Sequence, residues 1–173
     1  MLRRFWPLSF LPLPFLGCGY HTLGSAAHVP STVHTLAVPY FDNRTQYFHT
    51  EQELTGAVVR ELNTRTKYAV VSGEDVSQAD ATLQGVILTE TVLPYTYNSI
   101  TGQSSTYMIT LVANVVLTDR EGRVLYRHQG YTFHQQYEAT ADLSSFIQED
   151  SPAMERLGRD FAHSLVSDML ESF

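Results

Sequence analysis

One cysteine, Cys18, stands in 173 residues, so no disulfide can form within the chain and its stability has to come from packing. Cations are scarce as well: 11 Lys and Arg face 18 Asp and Glu. An acidic chain lacks the basic footprint that phosphate backbones require, which excludes a nucleic-acid partner. It also disfavours lying flat on an anionic leaflet. No hydrophobic run reaches the 20 or so residues that a membrane-spanning helix needs. No glycine-rich phosphate cradle occurs, and no Gly-x-Ser-x-Gly elbow surrounds the Ser104-Ser105 or Ser144-Ser145 pairs. The seven histidines are scattered without metal-ligand spacing; His128 and His134 share strand parity but lie about 20 Å apart. The Glu51/Glu53 and Glu149/Asp150 pairs fall where helices are expected to begin, and there the helix dipole explains them. With no division of catalytic roles among residues, enzyme chemistry is not expected, and neither is a metal or cofactor.

What is present begins at the N-terminus. Arg3-Arg4 precede the apolar stretch Phe5–Leu16, which is followed by Gly17-Cys18-Gly19. A positive n-region, a short apolar core and a cysteine just beyond it have the form of a lipoprotein signal peptide and lipobox. Residues 1–17 would be removed, leaving Cys18 as a diacylated, N-acylated terminus. Phe15 and Gly17 do not make the small-x-small site of ordinary secretory cleavage. Phe15 does depart from the Leu usual in lipoboxes, and Pro7, Pro12 and Pro14 interrupt the apolar core. The alternatives are simple secretion or an uncleaved anchor, and a buried, inert thiol in a cytosolic chain. Without Arg3 and Arg4, nine cations face 18 acids, a mature net charge of −9. Residues 18–32 are small and polar and form a lipidated tether, whose 14 residues after Cys18 reach at most about 45–50 Å.

Residues 33–173 are of a size for one domain. Val33–Phe41 is expected to be a strand that ends or lies at an edge at Pro39, with a turn at Asp42-Asn43-Arg44. Thr50-Glu51-Gln52-Glu53 has the form of a capping box opening a helix to about Thr64, whose stripe is Leu54, Ala57, Val58 and Leu62. A short strand over 67–72 follows. Ala81, Leu83, Gly85, Ile87 and Thr89 then alternate with Thr82 to Glu90 on the other face, and a polar loop covers Tyr97–Gln103. Tyr107, Ile109, Leu111, Ala113, Val115 and Leu117 share an apolar face that belongs in a core; the opposite face, Met108 to Thr118, is mixed. A hairpin turn at 119–122 leads to a strand over 124–136. After a loop over 144–150, Ser151-Pro152 would open a terminal helix carrying Met154, Leu157, Phe161, Leu165 and Met169, with Gly158 marking close packing. The order β-α-β-β-β-β-α is an α+β fold, two helices on a mostly antiparallel four- to five-stranded sheet. Tyr95 and Tyr97 flank the polar loop and are candidate interface anchors.

Several blocks resemble the LptE family of lipopolysaccharide-assembly lipoproteins: Thr35–Thr45, Leu54–Leu62, Ala79–Gly85, Tyr95–Asn98 with Gly102-Gln103 and Tyr107, and Leu117–Tyr126. The resemblance runs in order over nearly all of the mature chain. It implies an outer-membrane lipoprotein on the periplasmic face that plugs the LptD β-barrel, helps it fold and assists lipopolysaccharide delivery, with no enzymatic activity. It makes Tyr95, Tyr97, Asn98 and Gly102 candidate partner contacts, and Gly19 after the lipidated cysteine fits outer-membrane sorting. Family members are reported to bind lipopolysaccharide through basic residues; the cations available for that here are Arg44, Arg120 and Arg123, each at a turn. The first two blocks are also similar to CsgG- and LpoB-type lipoproteins, which would imply an oligomeric secretion module or a synthase activator.

Overall fold

The computed structural model describes residues 33–73, 78–97, 99–100, 104–138 and 143–171, the last two segments without the side chains of 104–105 and 143–151. The elements are β1 (Thr35–Val38), β2 (Asp42–Asn43), α1 (Thr50–Arg65), β3 (Ala69–Ser72), β4 (Ala81–Tyr97), β5 (Ser104–Asp119), β6 (Val124–Glu138) and α2 (Leu143–Glu171). The α+β order expected from the sequence holds, with one addition. Asp42 and Asn43, expected as a turn, pair with Val86 and Ile87 and bring the sheet to six strands.

The sheet runs β3-β1-β4-β5-β6, with β2 also against β4. The long β4–β5 and β5–β6 ladders are antiparallel, and the short β1–β3, β1–β4 and β2–β4 ladders are parallel. β1 ends at Val38 because Pro39 has no N–H to offer a ladder. Both helices cover one face. Leu54, Val58 and Leu62 of α1 and Leu157, Phe161, Leu165 and Met169 of α2 close on Leu83, Ile109, Leu111 and Leu117. The apolar face of β5 is therefore core, as its alternation requires, while Met108 to Thr118 on the other face are half-buried.

Two bulges change which residues face the helices. Between Ile87↔Ala113 and Thr89↔Val112 the register takes up Leu88 as an extra residue. Before it Ala81, Leu83, Gly85 and Ile87 point inward; after it Glu90 does, and Thr89, which shares their alternation in the sequence, is exposed. In β6 the register slips between Ala113↔Tyr131 and Val115↔His128, where Gly130 takes φ 69° and donates its N–H to Asn114 Oδ1 at 2.8 Å. His128 thus sits opposite the core residue Val115 and His134 opposite Thr110, so the two histidines lie on opposite faces. A bulge cannot be read from period-two alternation, since it adds one residue without changing composition.

Both helix starts also differ from expectation. The capping box does not form: His49 is the N-cap, in the left-handed conformation (φ 69°) with no side-chain cap, and its carbonyl accepts from the N–H groups of Gln52 and Glu53. Thr50 is inside the helix, and its hydroxyl is drawn away to Glu90 at 2.7 Å. The second helix starts at Leu143, eight residues before the expected cap, and Pro152 lies within it. Proline at that position leaves the carbonyl of Gln148 without its intrahelical donor, a loss the backbone accepts here.

Candidate interaction surface

Four large apolar side chains left in water share one end of the sheet. β4 extends to Tyr97, well past the strand expected over 81–90, because β5 continues to pair with it as far as Tyr97↔Ser104. At that end Leu93, Tyr95, Tyr97 and Ile100 are 63%, 56%, 63% and 92% exposed. Tyr95 is the bulged residue between Pro94↔Tyr107 and Thr96↔Thr106. Asn98, Gly102 and Cys18 lie outside the described residues. By contrast Tyr126, Tyr131 and Tyr137 of the same aromatic-rich region are core, and Tyr107 stacks on Tyr137 at 5.7 Å.

β1 runs parallel to β4 with Leu36 opposite Ala81, so the chain enters the fold at the start of β4. Tyr97 is 16 residues further along that strand, about 50 Å at the usual rise. Val33, where the described chain begins, and the hairpin end are at opposite poles of the sheet. At the entry pole Asp80 Oδ2 accepts hydrogen bonds from the N–H groups of His34 and Thr35 and from the Thr35 hydroxyl, each at 2.9 Å. These bonds, with Arg120 alongside, hold its carboxyl down at about 2 against an ordinary 3.8.

The three arginines do not form a cluster. Arg44 pairs with Asp42 at 3.1 Å. Arg120 donates to the carbonyls of Gln78 and Ala79 and to Asp80 Oδ1. Arg123 is held by Asp119 and Glu121, both at 2.6 Å. Arg44, whose N–H bonds the Ile87 carbonyl, is six residues along β4 from Ala81, which pairs with Asp119 beside the Arg120–Arg123 turn, about 20 Å away. Arg44 and Arg123 spend their charge on their own turns, and Arg120 spends its on the segment leading into β4.

On the sheet face away from the helices a shallow groove of about 340 Å³ is lined by Gln84, Val86, Asn114, Val116, Arg127 and Gln129. Among the described residues no group of three His, Cys, Asp or Glu could hold a metal, and no helix is long and apolar enough to cross a membrane. Tyr126, buried and near Asp168, has its hydroxyl pKa pushed up to about 12, burial being the larger cause.

A second exposed aromatic site was not anticipated. In the loop between β2 and α1, Tyr47 is 39% and Phe48 88% exposed. The observed helix start explains it. An apolar residue just before an N-cap normally packs on an apolar residue at the fourth helical position; here that position is Glu53, so Phe48 has no staple partner.

A family model described as LptE, lipopolysaccharide-assembly, matches residues 33–170. A lipoprotein from Caulobacter crescentus is 10% identical with a TM-score of 0.51, over 76% of this chain and 88% of that one. Lipoprotein B from Nitrosomonas europaea is 12% identical with a TM-score of 0.51, over 77% and 81%. At such identities the likeness is one of fold. No curated protein matches the chain.

Proposed function

The chain belongs to the LptE lipopolysaccharide-assembly family, and on that premise we propose that it is an outer-membrane lipoprotein that plugs an LptD-type β-barrel and assists its folding. Acyl chains on Cys18 would hold it on the periplasmic side and raise its effective concentration at the barrel. Its part is structural, not catalytic: it supplies a packed body and a projecting hairpin to a barrel that carries lipopolysaccharide outward.

The observation that carries this reading is the exposure of Leu93, Tyr95, Tyr97 and Ile100 on a hairpin paired out to Tyr97. Large side chains on a paired, ordered element lose little freedom on docking, and tyrosine suits a polar barrel lumen because its ring is apolar and its tip is not. The hairpin lies at the pole away from Val33, so a molecule anchored through the segment before Val33 would have its hairpin free to reach into a lumen. Arg44, Arg120 and Arg123, each already paired with an acid, offer little to lipid A phosphates.

The test is a mild-detergent pull-down of the full-length lipidated protein from native membranes, with mass spectrometry of what stays bound. A large β-barrel in one-to-one amount is expected. Recovery of self-oligomer alone, or of a periplasmic synthase, would sink the reading in favour of a CsgG- or LpoB-like module.

A further inference from the structure

The loop that carries Phe48 is tied down by more hydrogen bonds than an idle loop would need. Asn43 spends its whole amide on it. Oδ1 accepts from the N–H and the hydroxyl of Thr45 at 2.9 and 2.8 Å, and Nδ2 donates to the Tyr47 carbonyl at 2.7 Å and to Glu51 at 2.8 Å. The Tyr47 N–H reaches the Thr45 hydroxyl at 3.2 Å, and Arg44 N–H bonds the Ile87 carbonyl at 3.1 Å. At the other end Thr50 is fixed to Glu90 of β4. Between these ties His49 is the one residue other than glycine with positive φ among those described, a conformation that persists only where surroundings impose it. The result is a rigid loop holding a phenyl ring 88% in water.

From this geometry we propose that Phe48 is a second anchor for the barrel partner, separate from the hairpin tyrosines, and that it enters an apolar pocket rimmed by basic side chains. The choice of occupant rests on charge. Close to Phe48 in the chain are Glu51, whose carboxylate accepts only from an amide in the contacts above, and the exposed Glu53, while Asp42 and Arg44 cancel each other. An acidic rim repels anionic lipid headgroups. It equally repels a second copy of a chain whose mature charge is −9. What it complements is a cationic rim on another protein. That this protein is the barrel rests on the function proposed above.

Site-specific photo-crosslinking in the full-length lipidated protein tests this, with the crosslinker at position 48 and, in a parallel sample, at position 95. The expected result is a barrel adduct from both positions, and a loss of about tenfold in barrel recovered by Phe48→Ala. Glu53→Lys should also lower recovery, and folding should be unchanged because neither side chain is buried. An adduct from position 95 and none from 48 overturns the second anchor and leaves the plug intact. Adducts from 48 to lipid or to a second copy, or full recovery by Phe48→Ala, overturn it too. No barrel adduct from either position removes the barrel reading itself, and this anchor's partner with it.

Discussion

The ring of Phe41 occupies the space in which Gly85 would carry a side chain. A Cβ built on Gly85 collides with the Cγ, Cδ2 and Cε2 atoms of that ring. Phe41 is in turn set edge-on to Phe161 of α2, with centroids 6.0 Å apart. The glycine on β4 therefore lets the chain leaving β1 lay its ring flat against the sheet and under the terminal helix.

Gly85→Ala should accordingly destabilise the domain by about 2–3 kcal/mol, the cost of overpacking a dense core. Pairing it with Phe41→Ala should give less than the sum of the two single losses, because the collision is gone. Gly158→Ala is the contrast. There the added methyl would sit 3.6 Å from Ala57 Cβ, an ordinary contact, so the helix-propensity gain of up to about 1 kcal/mol should appear as stabilisation. Urea unfolding of the two single variants, their double and Gly158→Ala decides both points.

Tyr131 is 6% exposed, and its hydroxyl has no hydrogen-bond partner among the described residues. Its ring is held by Phe133 at 5.3 Å and Phe161 at 6.0 Å. Tyr131→Phe keeps those contacts and removes an unpaired polar atom, so it should be neutral or raise stability by about 1 kcal/mol. A clear loss on thermal unfolding would mean the hydroxyl is satisfied in solution.

The Leu88 bulge turns Glu90 towards the helices, where it is 8% exposed and accepts the Thr50 hydroxyl. Thr50→Val keeps the volume and removes that donor, which should cost about 1–3 kcal/mol. Hydrogen exchange should show the first turn of α1 opening more readily in that variant than in wild type.

Asp80 ties the entry of the chain to the sheet. Its folded pKa, near 2, lies below its ordinary 3.8, chiefly through the His34 and Thr35 N–H groups and the Thr35 hydroxyl. A depressed carboxylate stabilises the fold above its unfolded pKa and loses that contribution as pH falls through its folded value. Wild type should therefore lose stability between about pH 4 and pH 2 more steeply than Asp80→Asn, while the variant should be the less stable at neutral pH. Melting curves at a series of pH values give the comparison.

Tyr95→Ala with Tyr97→Ala should weaken barrel association by about tenfold or more. Both side chains are mostly in water, so domain stability should change by no more than about 0.5 kcal/mol. Unchanged recovery of the barrel would remove these tyrosines from the interface.

Much of this molecule is local, and so was legible. The order of elements, the apolar stripe of Leu54, Val58 and Leu62, and the core face of β5 follow from repeating patterns in which each residue reports its own environment. Tyr95 and Tyr97 were found because a tyrosine pair beside a polar loop has few neighbours to bury it. Other features depended on residues far apart in the chain. Thr50 looked like a cap because the sequence hides Glu90, 40 residues away, which takes its hydroxyl. Thr89 and Glu90 exchanged faces because one extra residue, Leu88, inverts a strand's parity without leaving a compositional mark. His128 and His134 were separated in the same way by Gly130. Phe48 could not be assigned to water until the helix start was fixed one residue before Thr50.

By itself, then, the sequence determined the class of fold, the membership of its core and a polar loop flanked by Tyr95 and Tyr97, because periodicity and composition act within a few residues. Tertiary structure alone decided which side chains the bulges turn inward, which glycine must stay bare, and that Phe48 stands in water. Those outcomes depend on contacts between segments whose separation along the chain carries no signal of their meeting.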